Sequence, residues 1–148
     1  MKKVYPVSIV VFVGMVVAGI VLAGSSLGVF ISLGSFIIVV GLPAAVIFAT
    51  HSPGEVGRAF AAPSRSDSPA ELKASAVFFS AMQRYLLWSG FLATMIGVIT
   101  LLAYLGETAS VGRGAALALL TVFYSVVLNL VVALPFRHAA EKRLAELG

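Results

Sequence analysis

Four long stretches without a charged residue constrain the fold of this chain more than any other feature. They cover about residues 6–23, 29–50, 86–105 and 115–136. A helix of roughly 20 mostly apolar residues crosses the hydrocarbon core of a bilayer, which is about 30 Å thick. The stretches are continuous apolar runs and lack the two-residue alternation of barrel strands. They therefore predict four transmembrane helices.

The composition supports the same interpretation. Charged residues make up 11% of the 148 residues and hydrophobic residues 60%, and the mean hydropathy is +1.07. An ordinary soluble domain carries about 25% charged residues, so a soluble enzyme is excluded. The length allows one domain. We predict an all-α integral membrane protein, with a single membrane domain over residues 1–148 and no enzymatic activity.

The basic residues predict the orientation of the chain. The side of the membrane that holds more Lys and Arg is the cytoplasmic side. All but one of the 10 basic residues fall on one side of the predicted spans. Both termini, the loop 51–85 and the tail 137–148 are therefore predicted to be cytoplasmic, in the inner (plasma) membrane. The basic residues on that side are Lys2, Lys3, Arg58, Arg65, Lys73, Arg84, Arg137, Lys142 and Arg143.

Two alternatives to this picture arise from the same residues. The net charge of +4 could indicate nucleic acid, but the basic residues are too few and too scattered, so we expect no nucleic-acid partner. The N-terminal Met-Lys-Lys and its apolar run could also be a secretory signal, and its cleavage would leave three spans. The second stretch follows so closely that the pair favours a helical hairpin.

The loop 51–85 divides into two halves. Pro53, Pro63 and Pro69, with neighbouring serines, predict a first half that is rich in turns. Ser68 is a candidate N-cap because Glu71 follows it three residues later. From there we predict one helix that runs without a break into the third span.

Polar residues inside the spans form one noticeable pattern. Thr121, Ser125 and Asn129 recur every four residues, with Tyr124 beside them, and Thr94 lies on the third span. No span contains Asp, Glu, Lys, Arg or His, so the chain alone lacks a proton carrier and would need an acid from a partner. The alternative is that each hydroxyl bonds a carbonyl of its own helix or of a neighbouring one.

Prolines and small residues mark candidate bends and contacts. Pro43 and Pro135 are each predicted to kink a span and free a carbonyl, as a hinge or as a static bend. Small residues at helical spacing predict close helix contacts within the bundle or between copies. His51 and His138 are isolated, so we expect no metal site, and we expect no cofactor. The small residues are Gly14, Ala18, Gly41, Ala45, Gly90, Ala93 and Gly97.

Short sequence segments in and next to the four predicted spans occur in a characteristic order along the chain. This order resembles the MotA/TolQ/ExbB proton channel family, and it is closest to the flagellar stator subunit MotA. The similarity covers nearly all four spans. The segments are GIVLAGSS (19–26), GSFIIVVG (34–41), SPGEVGRAF (52–60), GFLATMIG (90–97), VGRG (111–114), ALLTVFY (118–124) and LP (134–135).

The resemblance implies a mechanism. In that family a pentameric ring surrounds two single-span partners of the MotB/ExbD/TolR type, and each partner carries a membrane-embedded Asp. Protons or sodium ions pass by this Asp and drive rotation. Thr94, Thr121 and Tyr124 would then line the pathway that faces the partner, and the polar stripe extends this expectation to Ser125 and Asn129.

The chain departs from the family in two places, and two other functions remain open. The loop 51–85 replaces a large cytoplasmic domain whose charged residues engage the flagellar rotor, and the proline usual at the start of the third span is absent near Leu87. One alternative is a homo-oligomeric structural or regulatory four-span protein without ion transport. The other is a four-span transporter, although no inverted repeat or broken helix supports it.

Overall fold

The computed structural model describes residues 5–147, with side chains from residue 7 onward, and Lys2 and Lys3 lie outside them. The chain is 89% helical, and no strand occurs within the described range. The predicted all-α fold class is confirmed. The chain divides after Leu33 into two compact units, which are described separately below.

The N-terminal unit contains helix α1 (Tyr5–Leu22) and a 3₁₀ turn (Leu27–Phe30). Gly24 ends α1 with a φ of 74°, a left-handed conformation that glycine adopts without strain. The Ser25 N–H donates to the Ile20 carbonyl at 3.2 Å, and the Gly24 N–H donates to the Val21 carbonyl at 2.9 Å. This pair of bonds is a Schellman motif, which satisfies the carbonyls at the helix end.

The second unit holds the remaining helices. Among residues 5–147, three helical stretches are long and apolar enough to cross a membrane, and the apolar helix Val7–Leu22 is shorter. These are Leu27–Thr50, which begins in the N-terminal unit, Pro69–Ala103 and Thr108–Leu147, and they give the chain the character of a membrane protein. The elements of this unit are α2 (Leu33–Thr50, whose first residue belongs to the N-terminal unit), α3 (Pro53–Arg65), α4 (Pro69–Ala103), α5 (Thr108–Leu128), a π turn (Asn129–Ala133) and α6 (Leu134–Leu147).

The prediction of a turn-rich segment after residue 51 was wrong, because Pro53–Arg65 forms helix α3. Its start is a capping box in which the Ser52 N–H donates to Glu55 at 2.7 Å and the Glu55 N–H donates to the Ser52 hydroxyl at 3.3 Å. Pro53 fits the first helical position, where its missing N–H is not needed.

The bonds from the backbone and the hydroxyl of Ser52 lower the pKa of Glu55. The box is therefore fully stabilising above the unfolded-state pKa of that carboxyl and weakens as the pH falls through the lowered value.

Helix α4 is a single continuous helix, as predicted. Ser68 is its N-cap, but its side chain makes no capping bond. Instead the Ser66 hydroxyl donates to Glu71 at 2.5 Å and accepts the Ser68 N–H at 3.1 Å. The 35 residues of α4 extend about 52 Å at roughly 1.5 Å per residue, so the helix is longer than the hydrocarbon core.

Two serines of α4 compensate for two prolines on the helices that pack against it. A proline leaves the carbonyl four residues before it without its helical donor. For Pro43 of α2 this is the Val39 carbonyl, and the Ser89 hydroxyl donates to it at 3.2 Å. For Pro63 of α3 it is the Ala59 carbonyl, and the Ser75 hydroxyl donates to it at 2.7 Å. The carbonyl that Pro43 was predicted to free is thus satisfied from a neighbouring helix.

This pairing predicts a strong coupling between Ser75 and Pro63. We expect Ser75→Ala to lower the free energy of unfolding by about 1–3 kcal/mol, because the Ala59 carbonyl is left buried without a donor. In a Pro63→Ala background the restored N–H bonds that carbonyl, so the same substitution should cost much less. Unfolding of the four proteins of the cycle in mixed micelles measures the coupling. Equal costs of Ser75→Ala in both backgrounds would contradict the compensation.

An aromatic cluster joins α3, α4 and α6 beyond the apolar part of α4. Phe79 is fully buried, with ring centroids 4.9 Å from Phe60, 5.2 Å from Phe78 and 5.1 Å from Phe136. Such ring pairs stabilise beyond the area that they bury. The loop 51–85 therefore belongs to a packed helical layer rather than to a flexible connection.

Candidate functional site

Helices α4 and α5 approach each other so closely that glycine is required at several positions. A Cβ atom on Gly97 would lie 2.6 Å from the Ala118 nitrogen, and one on Gly114 would lie 2.7 Å from the Leu101 nitrogen. Small residues permit such backbone contact where no hydrophobic effect drives helices together.

The outcome for the small residues differs between helices. Gly90, Ala93 and Gly97 are buried, as expected of a contact face within the bundle. Gly41 and Ala45 of α2 are exposed, and Gly14 and Ala18 lie on α1 in the N-terminal unit. Gly41 and Ala45 therefore take no part in the packing of the second unit.

Thr94 and Thr121 meet in this interface, with 3.4 Å between their hydroxyl oxygens. Thr121 is fully buried and donates to the Ala118 carbonyl at 2.9 Å. Thr94 is half-buried and donates to the Gly90 carbonyl at 2.8 Å, with the Ala118 carbonyl at 3.3 Å. The structure thus brings together two of the residues predicted to line a pathway, and Thr94 is the member that is reachable from outside the chain.

Ser125 and Tyr124 lie in different surroundings. The buried Ser125 hydroxyl donates to the Leu86 carbonyl at 2.8 Å, across the same α4–α5 interface. The half-buried Tyr124 packs its ring edge-on against Phe36 of α2, with centroids 6.3 Å apart. Ser125 therefore serves helix packing, while Tyr124 connects α5 to α2.

Asn129 belongs to a separate polar chain at the end of the apolar segments. Its side-chain oxygen accepts a bond from Gln83 at 3.1 Å, and Arg137 donates to Gln83 at 3.0 Å and to Glu141 at 2.8 Å. Gln83 was missed in the analysis of the sequence, because its partners lie 46 and 54 residues further along the chain. A polar residue of α4 just before its uncharged part was the only available signal.

This polar chain places the ends of two uncharged segments at the same level. The uncharged part of α4, residues 85–103, is about 28 Å long, and residues 114–136 extend about 34 Å as helix. Both values are close to the roughly 30 Å of a hydrocarbon core. Because Gln83 and Arg137 are hydrogen-bonded, both segments end beside each other.

The chemistry available at the α4–α5 interface is limited to hydrogen bonding. Each hydroxyl there donates to a backbone carbonyl and keeps lone pairs that can accept a further bond. Within residues 5–147 no group of three His, Cys, Asp or Glu side chains could hold a metal ion. Transfer of a proton past Thr94 and Thr121 would accordingly require an acid from another molecule.

Pro135 was predicted to kink the fourth span, and in the structure the helix changes from α to π type directly before it. Residues Asn129–Ala133 form a π turn directly before it, and the Leu134 N–H donates to the carbonyl of Asn129, five residues earlier. Such turns are rare and often occur at functional sites.

No known protein-family model and no curated protein matches this chain.

Proposed function

We propose that this chain is a MotA-like, four-span subunit of an ion-driven membrane complex, in which copies of it surround a single-span partner that carries a membrane Asp. The observation that carries the proposal is the Thr94–Thr121 hydroxyl pair, which lies between two apolar helices and is half-exposed on its Thr94 side. The protonated carboxyl of such a partner could donate to a hydroxyl lone pair that remains beside Thr94, and the two helices place no competing charge there.

In the proposed topology the protein lies in the inner membrane, and both of its termini are in the cytoplasm. The excess of basic residues beyond Gln83 and Arg137 supports this orientation. The uncharged segment of α4 begins beside the point where the segment 114–136 ends, because Arg137 donates to Gln83 there. This supports the proposal that the two segments are adjacent spans that run in opposite directions. Helices α1 and α2 would supply the first two spans.

The proposed oligomer rests on surfaces that the second unit does not cover by its own packing. Many large apolar side chains of α2 and α4 are exposed, among them Phe48, Trp88 and Phe91. Lipid can cover such residues, but Gly41 and Ala45 also leave an exposed strip on α2 where a second helix could approach closely. A ring of copies, pentameric by the resemblance, would use this strip.

Removal of one hydroxyl tests the ion pathway. We expect Thr94→Val to lower ion flux in liposomes at least tenfold, because the hydroxyl nearest the partner's carboxylate is lost while the volume is kept. The measurement uses the protein co-purified with any single-span membrane protein that is encoded beside its gene. Thr100→Val is the matched control, because Thr100 lies on the same helix and donates only to the Ile96 carbonyl of that helix. Equal flux for wild type and Thr94→Val would reject the pathway.

A homo-oligomeric structural protein that moves no ions is the second candidate function. It is favoured by the fact that Thr94, Thr121 and Ser125 all donate to carbonyls of this chain, so that helix packing alone accounts for them. Native mass spectrometry of the protein with and without the single-span protein separates the two functions. A stable homo-oligomer that never binds that protein supports the structural role, and a strict monomer in both preparations contradicts both candidates.

A further inference from the structure

A basic cavity between α4 and α6 has no role in the proposed ion pathway. We infer that it binds a phosphate-bearing anion. The cavity has a volume of about 350 Å³ and combines positive charge with a hydroxyl group. Its polar lining consists of Lys73, Ser80, Arg84, Arg137 and Glu141.

The side chains on the α4 wall are available to a ligand. Lys73, Ser80 and Arg84 follow one another at four- and seven-residue spacings, so they share one face of α4. Within the part of the chain that the structure describes, none of the three has a hydrogen bond or an ion pair to another side chain. Two cations and one hydroxyl on this wall therefore have unused donors.

Arg137 of α6 is held in place on the opposite wall. Its Nε donates to Glu141 at 2.8 Å and its Nη1 donates to Gln83 at 3.0 Å. A guanidinium fixed in this way loses little further freedom when it binds an anion. With Glu141 counted, the lining carries a net charge of two positive units, and Arg together with Lys is the usual combination for binding phosphate oxygens.

The location leaves two sources for the phosphate. Arg84 immediately precedes the uncharged part of α4, and Lys73 lies about 16 Å further from it along the helix. Basic pockets at the cytoplasmic end of transmembrane helices bind the headgroups of anionic lipids. A soluble phosphate compound could reach the same groups from the cytoplasm. Both sources use the same chemistry, and they differ in whether acyl chains are attached.

The lipid source is tested on the full chain in nanodiscs that contain equal amounts of phosphatidylglycerol and phosphatidylcholine. Native mass spectrometry then counts the lipids that remain bound when the protein is released. We expect a preference for phosphatidylglycerol that falls about fivefold for Arg84→Gln and about 25-fold for Lys73→Gln/Arg84→Gln. Arg58→Gln/Arg65→Gln is the control, because it removes the same charge from α3, outside the cavity.

The soluble source is tested with pyrophosphate added to the detergent-purified protein by isothermal titration calorimetry. Binding that Arg84→Gln weakens about fivefold, without a preference for phosphatidylglycerol, supports the site and assigns it to a soluble ligand. A lipid preference that is lost only in the cavity variants assigns it to the membrane. The inference is overturned if neither probe binds, or if the α3 control variant loses binding as much as the cavity variant does.

Discussion

Phe79→Ala is expected to lower the free energy of unfolding by about 3–5 kcal/mol, the largest loss of stability that we predict for a single substitution. Phe79 is fully buried, with 0% of its surface exposed, and its ring contacts rings from α3, α4 and α6. Its removal leaves a cavity that three helices must collapse to fill. Unfolding of the purified protein in mixed micelles, followed by circular dichroism, measures the change.

Phe91→Ala is the control, because Phe91 lies on the same helix and is 56% exposed. It should change the stability of the monomeric protein by less than about 1 kcal/mol, since little packing within the chain is lost. If the two substitutions were equally destabilising, the aromatic cluster would not hold α3 and α6 against α4.

The second large effect is expected at Gly114, where Ala should destabilise the protein by about 1–3 kcal/mol. The added Cβ would lie 2.7 Å from the Leu101 nitrogen and 2.9 Å from the Gly97 carbonyl oxygen. Both atoms belong to the backbone of α4, so the two helices must move apart. Such movement would also lengthen the contact between Thr94 and Thr121, and we expect ion flux to fall together with stability.

Gly112→Ala provides a control two residues away on the same helix. A Cβ at Gly112 would meet no atom within 4 Å. Inside a helix, alanine is also more stable than glycine by about 0.5–1 kcal/mol. We therefore expect Gly112→Ala to be neutral or slightly stabilising. A loss of stability at Gly112 as large as that at Gly114 would show that the close approach of α4 and α5 is not the cause.

The long apolar helices could be predicted well from the sequence. Uncharged runs of bilayer length leave few alternatives to a helix, and a helix with its cap near Ser68 was expected to continue into the third span. The buried face formed by Gly90, Ala93 and Gly97 was also predicted from small residues at helical spacing, whereas Gly41 and Ala45 of α2 have a similar spacing and are exposed.

Helix α3 was missed because its prolines were given too much weight. Pro53 occupies the first position of the helix, where proline is favoured, and Pro63 lies two residues before its end. The signal that could have identified the helix was the spacing of Ser52 and Glu55, which is that of a capping box. The serine donors that satisfy the proline-freed carbonyls depend on tertiary contacts and could not be inferred from local pattern.

The candidate site was predictable only in part. The spacing of Thr121, Ser125 and Asn129 places them on one side of a helix, but it does not distinguish a pathway from a packed interface. In the structure the first two bond backbone carbonyls, whereas Asn129 bonds Gln83. The partner of Asn129 lies on another helix, so no periodicity in the sequence could have identified it.

The π turn before Pro135 sets the angular position of everything that follows it. One additional residue per turn advances a helix by about 100° compared with a regular α-helix. That additional residue in Asn129–Ala133 precedes Arg137, whose guanidinium donates to Gln83 of α4 at 3.0 Å. The number of residues in this segment thus determines which side of α6 faces α4. Deletion of one residue from it would rotate α6 and its basic side chains by about 100° about the helix axis, away from α4.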